Sequence, residues 1–317
     1  MWQTLTTTFC GLGESPFWHP HERSLYWIDI PGRAVLRTRG EIGSAPVVER
    51  WAMPADPGCI APARRGGLVI ALRDGIYRAK DWGGDLQLMV PADYDTGTTR
   101  FNDGKCDALG RFWAGSLFEP KTTPSAMLYC LDARDRTQGR TPVMTPLLGD
   151  AVTANGLAFA PNRRTLYWAD TAAHAVRAWD WEAEANALSN RRVFQQFEPK
   201  PAGWSADAAA GADDAAPRYQ GRPDGATIDA AGNYWVAMFE GAQLLCFAPS
   251  GDRIGVLPLP VQCPTMPCFG GDDMRTLFVT SARQGRTASE IARLPDSGAV
   301  LSKRVETPGL PVHFFEE

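Results

Sequence analysis

A pattern that recurs along the 317-residue chain limits what it can fold into more than any single motif does. Residues 14–29 read ESPFWHPHERSLYWID and residues 155–170 read NGLAFAPNRRTLYWAD. They align without a gap, so Glu14 falls on Asn155 and Tyr26 on Tyr167. Each unit is an apolar strand, a proline-containing turn and a Leu-Tyr-Trp-x-Asp strand. A second pair, RFNDGKCDALGRFWAGS (100–116) and PDGATIDAAGNYWVAM (223–238), superposes Asp107 on Asp229, Gly110 on Gly232 and Trp113 on Trp235. That register sets Asn102 on Asp224; a shift of one residue sets Asp103 there instead. Fainter copies at 59–79 and 268–282 bring the number of units to six. Most units continue past the inner hairpin into another apolar segment, such as Met127–Leu131 or Leu244–Phe247, which leaves room for about four short strands in each.

Strand-rich repeats of roughly 40 to 50 residues predict an all-β fold, a six-bladed β-propeller in one domain over residues 1–317. No helical periodicity is sustained. Residues 180–194 read as an outer-strand hairpin. The ends, Trp2–Leu5 and Val312–Phe315, read as strands that close the ring and so remove exposed sheet edges. Residues 198–221 break the rhythm: Ala, Asp, Gly and Pro dominate, with little to bury. They are expected to form a low-complexity loop insertion, either a disordered surface loop or a flap over a site at Asp224.

Composition excludes several classes. Net charge is −4 with no Lys/Arg run, so a nucleic-acid partner has no electrostatic footprint. No apolar run approaches the roughly 20 residues that span a bilayer. The N-terminus lacks the basic and apolar regions of a secretory signal. Seven cysteines, an odd number without a C-x-x-C, fit reduced thiols in a cytoplasmic protein. A monomer or weak homo-oligomer is expected.

In a propeller the same position of each blade lies at the same height around the central channel. Glu14, Asn155, Asp224 and Asn102 (or Asp103) occupy that position in four of the six units. Such groups either cap backbone N–H groups at blade corners or converge at one mouth, where two carboxylates repel unless a cation lies between them. A hard divalent ion, Ca²⁺, Mg²⁺ or Mn²⁺, suits oxygen ligands, and Zn²⁺ accepts them too. Arg100, on the same loop as Asn102, either clamps an oxygen-rich substrate or makes a surface ion pair. Glu119 follows the next strand and either reaches the pocket or is solvated. The run Trp18–Glu22, with His19 and His21, aligns with a hairpin turn and reads as solvated. No G-x-S-x-G and no Cys–His pair supports nucleophilic hydrolysis.

Five ordered motifs, GESPFW…LYWIDI, RFNDGKCDALGRFWAG, NGLAFAP…LYWADT, SNRRVF and RPDGATIDAAGNYWVA, resemble the senescence marker protein/regucalcin/gluconolactonase/luciferin-regenerating-enzyme family over nearly the whole chain. The resemblance implies a six-bladed propeller with one catalytic divalent metal in its channel and hydrolysis of a sugar lactone. Its metal ligands fall on Glu14, Asn155 and Asp224, and its substrate-contacting Arg and Asn on Arg100 and Asn102. Its further substrate-contacting Glu falls at Pro120, one residue beyond Glu119, and the 198–221 link is longer than the family's. The expected activity is metal-dependent opening of an aldonolactone to the aldonic acid, with Asp224 as metal ligand and general base. The alternatives are a non-enzymatic calcium-binding protein, or an organophosphate or aryl-ester hydrolase on the same site.

Overall fold

A computed structural model describes residues 1–39, 46–135, 139–210 and 219–317. It is a six-bladed β-propeller, each blade a four-stranded antiparallel sheet. The first blade comprises Gly13–His19, Ser24–Asp29, Ala34–Arg39 and Val47–Ala52; the second Pro57–Pro62, Leu68–Leu72, Gly75–Ala79 and Gln87–Pro91. The third comprises Thr99–Cys106, Phe112–Phe118, Ala126–Asp132 and Val143–Ala151; the fourth Ala154–Phe159, Thr165–Asp170, Ala175–Glu182 and Ala187–Gln196. The fifth comprises Arg222–Ile228, Tyr234–Phe239, Gln243–Phe247 and Arg253–Pro258. The sixth takes Pro264–Gly270, Thr276–Ser281 and Leu301–Arg304, then the N-terminal strand Gln3–Thr4 as its outermost member. Gln3 pairs Ser302 and Thr4 pairs Leu301, so the chain's start closes the ring. The inner strands touch their neighbours in an unbroken cycle around the channel.

The Leu-Tyr-Trp pattern follows from a strand buried on both faces. Successive side chains alternate sides, so Tyr26 enters the core between the first and second blades while Trp27 enters the one between the sixth and first. Tyr167 and Trp168 divide in the same way, as do Phe112 and Trp113. Six inter-blade cores result, each filled from two sheets. The Asp-x-x-Gly motif has a separate cause. Asp107 accepts from Trp113 Nε1 (2.8 Å) and Arg111 Nε (2.6 Å), and Asp229 accepts from Trp235 Nε1 (2.9 Å). Each carboxylate also accepts backbone N–H groups of its own turn, so the Asp staples the hairpin to the indole of its second strand.

Three expectations need correction. Val312–Phe315 is not a closing strand: Phe315 makes one isolated bridge to Ala63, with its ring buried between the second and third blades. Trp18 and His19 end a strand and are buried; the turn starts at Pro20. Phe314 packs edge-on against His19, and Trp18 stacks on Phe278 of the sixth blade. The 198–221 insertion is docked over its first part. Lys200 Nζ meets Glu240 Oε1 (2.8 Å), Trp204 packs on Tyr219, and the short helix Ala206–Ala210 is tied through Asp207 to Thr287 and Arg293. Residues 211–218 of the insertion lie outside the described residues. The outer hairpin over 180–194 forms as expected, and all seven cysteines are free and buried.

Candidate active site

All six inner strands carry a β-bulge near their start, an extra residue set against the partner strand. Glu14 and Asn155 are the last residues before the bulge, whereas Asn102 and Asp224 are the first within it. The four groups therefore do not share one ladder position, as equal height in the repeat had suggested. Across this one-residue offset Asn102 and Asn155 still meet, with Asn102 Nδ2 2.8 Å from Asn155 Oδ1. Ser15 (φ 51°) and Gly156 (φ 56°) follow Glu14 and Asn155 in left-handed geometry. A Cβ at Gly156 would lie 2.5 Å from Tyr234 Oη and 2.8 Å from Ala169 Cβ, so this position demands glycine for space as well as dihedral.

A chain of hydrogen bonds runs around the mouth across three blades. Arg100 Nη1 donates to Asn102 Oδ1 (2.8 Å), and Asn102 Nδ2 donates to Asn155 Oδ1 (2.8 Å). Asn155 Nδ2 donates to Thr171 Oγ1 (2.7 Å), which donates to the carbonyl of Pro223 (2.7 Å), one residue before Asp224. Asn155 Oδ1 keeps a lone pair for another partner. Both register candidates sit in the third blade's bulge: Asn102 joins this chain, while Asp103 Oδ2 accepts from Leu157 N (2.8 Å).

Glu14 and Asp224 are buried, and neither has an ion-pair partner among the described residues. Burial, then the charges of Asp224 and Asp103, pushes Glu14 well above the usual carboxylate range. Burial, then Asp103, raises Asp224 to about 8. Among the described residues, no three His, Cys, Asp or Glu side chains form a metal cluster. The candidate set is instead two carboxylates and an amide oxygen. Buried like charges without a counter-ion, beside an amide oxygen with a free lone pair, fit a divalent cation that prefers oxygen donors.

Glu119 does not stand free in the pocket. Arg73 holds both its oxygens (2.8 and 2.9 Å), and Arg100 Nε lies 3.6 Å from Oε1. Arg100 is thus braced by Glu119 and Asn102, with no partner for Nη2 among the described residues. Thr171 was missed by the sequence reading. Its only signal is its place directly after the Leu-Tyr-Trp-Ala-Asp strand, which says nothing of what it bonds. A groove of about 840 Å³ on the flank between the first and sixth blades lies away from these residues, and its Arg23 and Arg304 are paired with Asp272 and Asp273.

A closed ring of six blades with an oxygen-donor set at one mouth defines a class of channel-site propellers. The chain matches the SMP-30/Gluconolactonase/LRE-like region over residues 12–283 and belongs to that family. It is 37% identical over 306 residues to a 6-deoxy-6-sulfogluconolactonase of Pseudomonas putida, with 96% of this chain and 94% of that protein covered. It is 32% identical over 295 residues to regucalcin of Danio rerio, with 92% and 89% covered. Among solved structures, a calcium-binding protein, regucalcin, from Agrobacterium tumefaciens superposes with a TM-score of 0.84 at 22% identity, covering 99% and 97% of the two chains. A luciferin-regenerating enzyme superposes at 0.82 with 21% identity, covering 100% and 99%. At these identities the superpositions speak for the fold.

Proposed function

We propose that the chain, working as one propeller domain over residues 1–317, hydrolyses a sugar lactone to its acid with one divalent cation held by Glu14, Asn155 and Asp224. The observation that carries this reading is the pair of buried carboxylates without a cationic partner beside an amide oxygen with a free lone pair. A divalent cation bound there supplies Lewis acidity toward a lactone carbonyl. Asp224 accepts the proton of the attacking water as its oxygen adds to the carbonyl carbon, and returns it to the ring oxygen when the ester bond breaks. Arg100, through its open Nη2, and Asn102 orient the substrate's ring oxygen and hydroxyls. Glu119 positions Arg100 rather than meeting the sugar, since Arg73 engages both its oxygens.

Membership of the family and the 37% relative named as a sulfogluconolactonase support the lactonase reading. The calcium-binding alternative draws on the regucalcin relatives. A cation store has no need of a braced arginine beside its ligands, which favours the enzyme. Thermal-shift screening with Ca²⁺, Mn²⁺, Mg²⁺ and Zn²⁺, followed by a panel of sugar lactones and aryl esters, tests both. The expected result is a stabilising cation and turnover of a lactone that falls by about 10² or more in Asp224→Ala. Stabilisation by a cation with no turnover of any lactone would favour the store, and unchanged turnover in Asp224→Ala would sink the assigned base.

A further inference from the structure

The bulge that carries Asp224 is held at both ends by groups from other blades. Asp224 and Gly225 form it, between the paired residues Pro223 and Ala226. At one end Thr171 Oγ1 donates to Pro223 O (2.7 Å). At the other Lys105 Nζ donates to Ala226 O (2.7 Å). Lys105 belongs to the third blade's inner strand and Ala226 to the fifth's, with the fourth blade between them, so the lysine side chain reaches across the channel. Its ammonium makes no other hydrogen bond and no ion pair among the described residues. Lys105 also lines a chamber of about 110 Å³ with Ile60, Phe159, Ile228, Met266 and Leu310; Glu14, Asn102, Asn155 and Asp224 do not line it. The lysine therefore stands between the candidate ligand set and this deeper, largely apolar part of the channel.

Asp103 shares the third blade's bulge with Asn102 and is buried. Its Oδ2 accepts from Leu157 N, two residues beyond Asn155, and its Oδ1 is buried without a partner. Asp103 and Lys105 are thus each bonded to a strand that carries a candidate ligand, within two residues of Asn155 and of Asp224. Arg100 and Arg73 are matched by Glu119 and Asp56. What remains is three buried carboxylates, Glu14, Asp103 and Asp224, against one ammonium, Lys105. Two negative charges are left over, the charge that one divalent cation neutralises. An ammonium fixed here repels a bound cation in proportion to that cation's charge, so a trivalent ion meets half as much repulsion again as a divalent one.

We propose that Lys105 determines the charge specificity of the cation site: held across the channel on Ala226 O, its ammonium offsets Asp103 and keeps the site to divalent ions. The inference rests on the reading above that Glu14, Asn155 and Asp224 hold a divalent cation, and it does not depend on the lactone. A lysine suits the place, being a compact point charge on a long stem that can cross the channel. Its bond to a backbone carbonyl fixes the charge without neutralising it.

Calorimetric titration of the chelator-treated protein with Ca²⁺ and with Tb³⁺, oxygen-seeking ions of similar radius, reads the charge preference as a ratio of two affinities at one salt concentration. A change of shape that weakens both ions alike cancels in that ratio. Lys105→Met keeps the length of the stem and removes the charge, and is expected to move the ratio about tenfold toward Tb³⁺. Lys105→Arg keeps the charge and is expected to leave the ratio near wild type. Asp103→Asn removes a negative charge and is expected to move the ratio about tenfold toward Ca²⁺, which keeps the test in force if Lys105→Met does not fold; melting temperatures are followed for each variant. A ratio unchanged in Lys105→Met, or moved alike in Lys105→Met and Lys105→Arg, overturns the inference. So does an Asp103→Asn ratio that stays put or moves toward Tb³⁺. A wild type that binds neither ion overturns this inference together with the cation reading. Lactone hydrolysis with ratios that do not respond to Lys105 defeats the role of Lys105 alone. Shifted ratios without hydrolysis of any lactone defeat the lactonase reading alone.

Discussion

Replacing Thr171 by valine keeps the side-chain volume and deletes one hydroxyl. That hydroxyl accepts from Asn155 Nδ2 and donates to Pro223 O, both at 2.7 Å, and so ties the fourth blade to the fifth across the candidate ligand set. Its loss strands an amide N–H and a carbonyl. A fully buried unmade bond costs about 1–3 kcal/mol; the site is only partly buried, so about 1–3 kcal/mol is expected for the two together. Asn155 would also lose the restraint that fixes its amide, and partners of this kind typically carry about 10–100-fold in metal affinity. Urea unfolding of the chelator-treated protein reads the first quantity, and calorimetric titration with Ca²⁺ or Mn²⁺ reads the second. Thr171→Ser keeps both bonds and is expected to recover most of each. A Thr171→Val protein with wild-type stability and wild-type affinity refutes the reasoning: Asn102 alone would then hold Asn155.

Gly156→Ala places a Cβ at φ 56° and 2.5 Å from Tyr234 Oη; left-handed strain and overpacking together predict a loss of about 2–4 kcal/mol by denaturant unfolding. Asp107→Ala leaves the fully buried Arg111 without its carboxylate, with an expected loss of about 3–5 kcal/mol by the same measurement; a loss below 1 kcal/mol would contradict the stapling role. His174 Nε2 accepts from Lys200 N–H (3.2 Å), and partial desolvation holds the imidazole below the usual histidine range. The detached form therefore takes up a proton first, so docking of the inserted segment is complete above about pH 6.5 and lost as pH falls through the lower, docked value. Hydrogen exchange at the Lys200 amide is expected to speed up on acidification beyond its intrinsic pH trend, and His174→Phe to abolish that excess.

The fold was legible because propeller physics repeats. A strand buried on both faces needs apolar or aromatic residues at successive positions, and a tight hairpin needs its Gly and Asp, so Leu25–Trp27 and Leu166–Trp168 carry the same imprint. Glu14, Asn155, Asp224 and Asn102 stood out for the same reason: they are polar at points where every copy turns into the channel. The closing strand was half legible. Gln3–Thr4 pairs as expected, but Val312–Phe315 has strand-like composition because Phe315 is buried, not because it pairs along its length.

Tertiary structure decided what depends on contacts between blades. Period and spacing describe one strand at a time, and they cannot show that a bulge offsets Asn102 and Asp224 by one residue from Glu14 and Asn155 while Asn102 still bonds Asn155. Nor can they show that Thr171 bridges Asn155 to Pro223 or that Glu119 is spent on Arg73. Those groups lie far apart in sequence and meet only when the ring closes. Local residue preference therefore specifies the blades, whereas the charge balance at the mouth is a property of the assembled ring.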